Sequence, residues 1–147
     1  MTATEKFKLI PAVFVLVKKG NEIFLARRIN TGFKDGEYSL VGGHIDGNEK
    51  ATTTAARELD EELGIKVDPK DLAFANVTHI KTNDERVHFL FVIEKWEGTP
   101  VINEPEKASD GAWFDLDNLP EDLNDLSLDM IQAYQNNIPY KEFGWGK

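Results

Sequence analysis

From Glu49 to Leu63 the chain runs fifteen residues without Gly or Pro, and strong helix formers dominate the last seven. The stretch before it, Gly43-His44-Ile45-Asp46-Gly47-Asn48, is crowded with turn residues, so the expectation is a loop feeding a helix that stops at Gly64. At about 100° per residue Ala55, Leu59 and Leu63 make one apolar stripe, which must be buried against another layer.

The flanking sequence supplies that layer as strands. Phe7 to Lys18 reads as a buried strand rich in Val and Phe, Lys19-Gly20-Asn21 as a hairpin turn, and Glu22 to Arg28 as the returning strand. Ile29 to Glu37 is a loop long enough to border a pocket, with Phe33 as its apolar tip. Tyr38 to Val41 is a short strand that delivers the chain to Gly42-Gly43. Beyond the helix Ile65-Lys66-Val67 is extended, Asp68-Pro69 turns the chain, and Leu72 to Lys81 and Val87 to Trp96 are strands around the polar turn Thr82 to Arg86. In the second of these Val87, Phe89, Phe91 and Ile93 alternate with His88, Leu90, Val92 and Glu94, giving one apolar and one mixed face. His88 reads there as a sheet-surface histidine rather than a ligand.

Glu97 to Ser109 is a loop punctuated by Gly98, Pro100 and Pro105, and Gly111 to Asp115 is a last short strand. A second helix, roughly Ser127 to Asn136, turns Leu128, Ile131 and Tyr134 to the core and is expected to be capped by Asp125 or Ser127. Ile138 to Lys147, with Tyr140, Phe143 and Trp145, is a tail expected to dock on the domain or on a second copy of the chain, as in a homodimer. Strands parted by one central helix and closed by another imply a mixed sheet between helices, an α/β/α sandwich, and 147 residues suit one domain spanning 1–147.

The helix carries the chemistry. Glu58, Glu61 and Glu62 fall within one narrow arc beside the apolar stripe, where like charges three and four residues apart cost a few tenths of a kcal/mol. Arg57 can reach Glu61 but is one charge among several. Hard divalent cations take oxygen ligands of this kind, and Mg²⁺ typically sits between carboxylates and substrate phosphates. The plainer alternative is a solvated acidic face.

The full spacing decides between them. The stretch reads Gly43, five residues, Glu49, seven residues, Arg57-Glu58-Leu59, one residue, Glu61-Glu62, one residue, Gly64-Ile65. This resembles the Nudix box at every defining position, and chance agreement in one register is on the order of one in a billion. Val41 stands where the family often has Pro, and Asn48 where it often has Gly; Asn tolerates positive φ, so the loop geometry is expected to survive. Asn21 to Arg28 and Glu94 to Gly98 also look like the corresponding segments of MutT-type nucleoside triphosphate pyrophosphohydrolases, so the likeness covers roughly residues 8 to 136.

The resemblance implies the fold already read and a set of roles. Glu61, Glu62 and the Gly43 carbonyl would ligate Mg²⁺, with Mn²⁺ as the alternative, and Glu58 would bind metal or orient and deprotonate the attacking water. Arg57 and Glu49 would be the ion pair holding the helix start to the catalytic loop. Glu104 falls where MutT-type enzymes carry a metal-binding or water-activating glutamate, with Glu106 its nearest competitor. Arg28 matches an arginine that touches substrate phosphate, and Asn124 lies near an asparagine that reads a purine edge. Gly42 and Phe33 complete the candidate substrate contacts.

The implied activity is hydrolysis of a nucleoside diphosphate linked to another group, first among them a nucleoside triphosphate, oxidised purines included, cut to monophosphate and pyrophosphate. ADP-ribose, a nucleotide sugar or a dinucleotide polyphosphate is the alternative within that chemistry, and a nucleotide-binding domain without turnover the alternative outside it. The formal charge of −9 disfavours tracking along a nucleic acid polymer, yet a small polyphosphate can be held where metal ions screen it. No cysteine is present, so disulfide and thiolate chemistry are excluded. Leu9 to Val17, the longest apolar run, is far short of a membrane span, and Met1 to Lys8 is too polar for a secretory signal, so a cytoplasmic protein is expected.

Overall fold

The computed structural model describes residues 5–32 and 34–146. Its elements in chain order are β1 (Ile10–Lys19), β2 (Glu22–Arg28), β3 (Tyr38–Ser39), β4 (Val41–His44), α1 (Ala51–Leu63), β5 (Ala73–Lys81), β6 (Glu85–Ile93), β7 (Ala108–Asp115), α2 (Asp125–Gln135) and β8 (Tyr140–Phe143). Gly20, at φ 61°, makes the β1–β2 hairpin turn that two-residue connections need.

The strands form one mixed sheet in the order β3-β2-β1-β6-β5-β8, with β4 paired to β1 and β7 to β2. β1 is the spine. It runs parallel to β6 from Ile10↔Arg86 to Val17↔Ile93, antiparallel to β4 along its first half, and meets β2 only at Lys18↔Ile23 and Lys19↔Glu22. Because strand side chains alternate, β1 feeds two cores: Ala12, Phe14 and Leu16 join one, Val13, Val15 and Val17 the other. α2 covers the first with Leu126, Met130 and Ile131, and α1 covers the second with Ala55, Leu59 and Leu63. The α/β/α sandwich expected from the sequence is the architecture found. Leu59 and Leu63 are almost wholly buried, which stabilises the α1 packing by roughly 2 kcal/mol each.

Local chemistry sets the ends of both helices. Gly64, at φ 69°, closes α1 with its N–H on the Asp60 carbonyl, and the following Ile65 N–H reaches the Leu59 carbonyl. The α2 cap differs from expectation: neither Asp125 nor Ser127 caps it, because both lie inside the helix, and Asn124 does, its side chain accepting from the Ser127 N–H at 2.7 Å. The tail docks on the domain itself. β8 lies parallel to β5, from Val77↔Tyr140 to Ile80↔Phe143, and the Trp145 indole N–H donates to the His79 carbonyl at 3.0 Å. Among the described residues no helix is long and apolar enough to cross a membrane.

Candidate active site

The loop expected before α1 forms as read, with Asn48 at φ 66° in the left-handed region that Gly would otherwise serve. Lys50, at the N-cap of α1, offers no side-chain bond to the helix. The start of the helix is held instead by Glu49, whose carboxylate accepts the Thr54 hydroxyl at 2.6 Å and a fork from Arg57, Nε at 2.9 Å and Nη2 at 3.0 Å. That two-pronged bond from Arg57, with the Thr54 hydroxyl second, draws the Glu49 pKa down to about 2. Arg57 also lies 3.1 Å from Glu58, 3.2 Å from Glu61 and 3.4 Å from Asp46, so one guanidinium gathers four carboxylates and its own pKa is raised.

Two glycines bring β4 against its neighbours. A Cβ on Gly42 would run into the Val13 backbone carbonyl, and one on Gly43 would stand 2.5 Å from the Glu58 carboxyl. The bare edge of β4 thus lets α1 lower Glu58 directly over the Gly43 backbone.

On the far side the loop after β6 is pinned to the C-terminal end of α1. The Val101 N–H donates to the Leu63 carbonyl, the Asn103 N–H to Glu62 and the Asn103 side chain to Glu61, satisfying carbonyls that a helix end leaves open. The same anchor carries Glu104 to the carboxylates of α1. Glu62 sits deepest: burial, then the hydrogen bond and charge of Glu58, then the charge of Glu104, raise its pKa well above the ordinary carboxyl value, against the pull of Arg28. Its Oε2 is buried without a hydrogen-bond partner.

These groups open onto one cavity of about 820 Å³, lined by Arg28, Gly42, Gly43, Glu58, Glu62 and Glu104 together with His44, Asp46, Lys107 and His88. Burial lowers the Arg28 pKa, opposed by the charges of Glu62 and Asp35, as expected of a guanidinium set into the wall beside acids. Glu49, Arg57 and Glu61 are not on the lining; Arg57 links the two acids to Asp46 and Glu58, which are. Glu106, the competitor of Glu104, is also off the lining. Asn124 is buried at the α2 cap, with its oxygen engaged by Ser127, and lies outside the cavity wall. Phe33 lies outside the described residues.

The sequence reading of His88 is corrected. It is not a surface histidine: it is 1% exposed, packs against Phe14 with ring centroids 4.8 Å apart, and faces the cavity. Alternation had placed it on the mixed face of β6 with Leu90 and Val92, and that face turns out to be covered by α2 and its core. Of the fourfold grip of Arg57, the pair with Glu49 and the reach to Glu61 were expected, whereas its contacts with Glu58 and Asp46 and the Val101–Asn103 anchor were not read from sequence.

Among the described residues no three His, Cys, Asp or Glu side chains are gathered closely enough to enclose an ion as they stand. Glu61 is turned to Arg57, Glu58 is shared between Arg57 and Glu62, and Glu104 lies 3.8 Å from Lys107. The donor set nonetheless suits a hard cation. All of it is oxygen, the carboxylates adjoin one another, and the orphaned oxygen of Glu62 is a buried acceptor without a hydrogen-bond partner.

Residues 8–134 match the NUDIX domain family. An ADP-ribose pyrophosphatase of Methanocaldococcus jannaschii is 34% identical over 125 residues, covering 80% of this chain and 70% of that protein. The NAD-capped RNA hydrolase NudC of Stutzerimonas stutzeri is 30% identical over 115 residues, 77% of this chain. The chain spans between 38% and 48% of the length of the NudC proteins it matches. Among solved structures, a MutT NUDIX hydrolase from Burkholderia pseudomallei superposes with a TM-score of 0.80 at 22% identity, over 86% of this chain and 98% of that one, which is a likeness of fold.

Proposed function

The chain belongs to the Nudix family, and from that premise we propose that it is a divalent-metal-dependent hydrolase that cuts the phosphoanhydride bond of a nucleoside diphosphate linked to a further group. The observation that carries the proposal is the buried, unpartnered oxygen of Glu62, set between Glu58 and Glu104 in a cavity whose wall also holds Arg28. Glu58, Glu61, Glu62, Glu104 and the Gly43 carbonyl would hold Mg²⁺ or Mn²⁺. Once bound, the ion neutralises phosphate oxygens and lowers the pKa of water at the site.

The chain's own residues do the rest. Arg28 presents a planar fork to phosphate oxygens, and its partial burial strengthens that contact. Glu58 accepts a proton from the attacking water as its oxygen bonds to phosphorus and the bridging oxygen departs with the leaving phosphate. Arg57 fixes the carboxylates in place: its bidentate bond to Glu49 ties the loop to the helix, and its contacts with Glu58 and Glu61 offset their mutual repulsion.

A nucleoside triphosphate cut to monophosphate and pyrophosphate is the first substrate reading, on the MutT-like segments at 21–28 and 94–98. ADP-ribose is the second, favoured by the M. jannaschii pyrophosphatase, which the chain matches over 70% of its length. The test is a panel of nucleoside triphosphates, ADP-ribose, nucleotide sugars, dinucleotides and NAD-capped RNA, with product identification in Mg²⁺, Mn²⁺ and excess chelator. Turnover that survives chelation removes the metal from the mechanism. Tight nucleotide binding with no turnover anywhere in the panel makes the chain a sensor rather than an enzyme.

A further inference from the structure

The wall of the cavity changes character along its length. Glu58, Glu62, Glu104 and Arg28 suit phosphate and metal, but the cavity also reaches Ala12, Phe14, Leu40 and His88, which carry no charge suited to either. Ala12, Phe14 and Leu40 belong to the core on the face of β1 opposite the one that α1 covers. Glu58 and Glu62 belong to α1, Glu104 to the loop pinned against its end, and the strip between the two regions is Gly42-Gly43, without side chains. A ligand whose diphosphate lies by Glu58 can therefore extend past the glycines onto Phe14 and His88.

His88 is the unexplained group in that second region. It is almost fully buried on the cavity wall, and neither Nδ1 nor Nε2 has a hydrogen-bond partner. A neutral imidazole offers one donor and one acceptor, and leaving both unmade inside a protein costs about 1–3 kcal/mol for each group. A packing role alone would be served better by Phe or Leu, so the two nitrogens call for a ligand. The imidazole is also held neutral, since burial, then the charge of Arg86 and the neighbouring His44, lower its pKa to about 4 against the opposing pull of Asp84. A neutral ring is suited to the polar edge of a heterocycle and poorly suited to phosphate, which Arg28 already faces.

We propose that His88 reads the heterocyclic base of the substrate, through a hydrogen bond from an imidazole nitrogen to the base edge, and so sets which nucleoside diphosphate derivative is accepted. This rests on the proposed function and deepens it. A site built to hydrogen-bond a substrate group rejects an analogue lacking it more strongly than a merely apolar pocket does, because its own buried groups are then left unpaired.

The experiment compares wild type, His88→Phe and His88→Gln on ATP, GTP, CTP and UTP, which share one triphosphate, and on ADP-ribose and ADP-glucose, which share one base. Wild type is expected to span at least tenfold in kcat/KM across the four bases. His88→Phe should compress that span to within threefold, with the largest loss, mostly in KM, on the preferred base. His88→Gln, which retains a donor and an acceptor, should keep the rank order. Binding is read separately by NMR: with three histidines in the chain, the ring protons of His88 should shift when the preferred nucleoside monophosphate is added without metal, and those of His79, which meets Trp145 edge-on, should not.

A wild-type span under threefold overturns the proposal, as does a rank order that survives in His88→Phe. Loss of discrimination between ADP-ribose and ADP-glucose with base preference intact assigns His88 to the distal group instead, and likewise overturns it. If wild type hydrolyses nothing in the panel, the proposed function fails; a His88 shift on nucleotide binding would then still support base reading, and an unmoved His88 would overturn that too.

Discussion

Acidification from pH 7.5 to 4.5 is a perturbation whose effect on His88 can be worked from its surroundings. In the unfolded chain its pKa is near 6.5, and in the fold burial, Arg86 and His44 bring it to about 4. The unfolded state therefore takes up a proton first as pH falls, and stability drops between about pH 6.5 and 4 and is level on either side of that window. At 1.36 kcal/mol per pH unit the gap corresponds to about 3 kcal/mol, of which some 2 to 3 kcal/mol is lost by pH 4.5. Urea unfolding of wild type and His88→Phe at both pH values isolates this group, because every other titration is common to the two proteins. The midpoint of wild type should fall by roughly 1 M more than that of the variant, with similar slopes. At pH 7.5 the variant should be at least as stable as wild type, since it lacks two buried nitrogens without partners. Parallel pH dependence in the two proteins would refute the burial argument.

Three further outcomes are expected. Glu62→Gln should reduce turnover by several orders of magnitude; because the folded-state pKa of Glu62 is raised, its contribution to stability is present at low pH and lost as pH rises above about 4.5, so metal-free Glu62→Gln should melt above wild type at pH 8. Glu104→Gln should lower kcat tenfold or more and weaken the Mg²⁺ response, whereas Glu106→Gln, off the cavity wall, should change either by less than twofold in the same titration. Asn124→Ala should cost about 1 kcal/mol in urea unfolding through the lost α2 cap, and an equal effect on purine and pyrimidine triphosphates would separate that cap from base reading.

What could be read from sequence was whatever depends on period and spacing. α1 followed from a run without breakers and from the stripe Ala55, Leu59, Leu63, and the convergence of Glu58 and Glu62 followed from the helical angle alone. Glu104 reached the cavity as expected, although its anchor, Val101 and Asn103 on the last carbonyls of α1, is a tertiary contact with no local signature. His88 shows the opposite case. Alternation fixes which face a strand residue takes, but whether that face meets water or a helix depends on where α2 lands, nearly forty residues later. Asn124 shows a related ambiguity: a cap and a ligand contact ask for the same amide, and only the start of α2 shows that the Ser127 N–H engages its oxygen.

The pairing of β8 with β5 has a consequence for how the chain is made. β8 follows β5 by nearly sixty residues, so until residues 140–143 emerge from the ribosome the long edge of β5 offers its backbone N–H and C=O groups to any passing strand, with Phe74 exposed beside them. Gly144 follows with φ 81°, where a Cβ would collide with the Lys81 carbonyl, so the lock closes only when the chain turns tightly past the far end of β5. A nascent or proteolytically clipped chain lacking that strand would keep both helices and the whole carboxylate cluster while presenting an adhesive border, and crowding in the cell would convert that border into self-association. Residues 140–145 thus shield the edge of β5 against aggregation, a duty separate from any chemistry in the cavity.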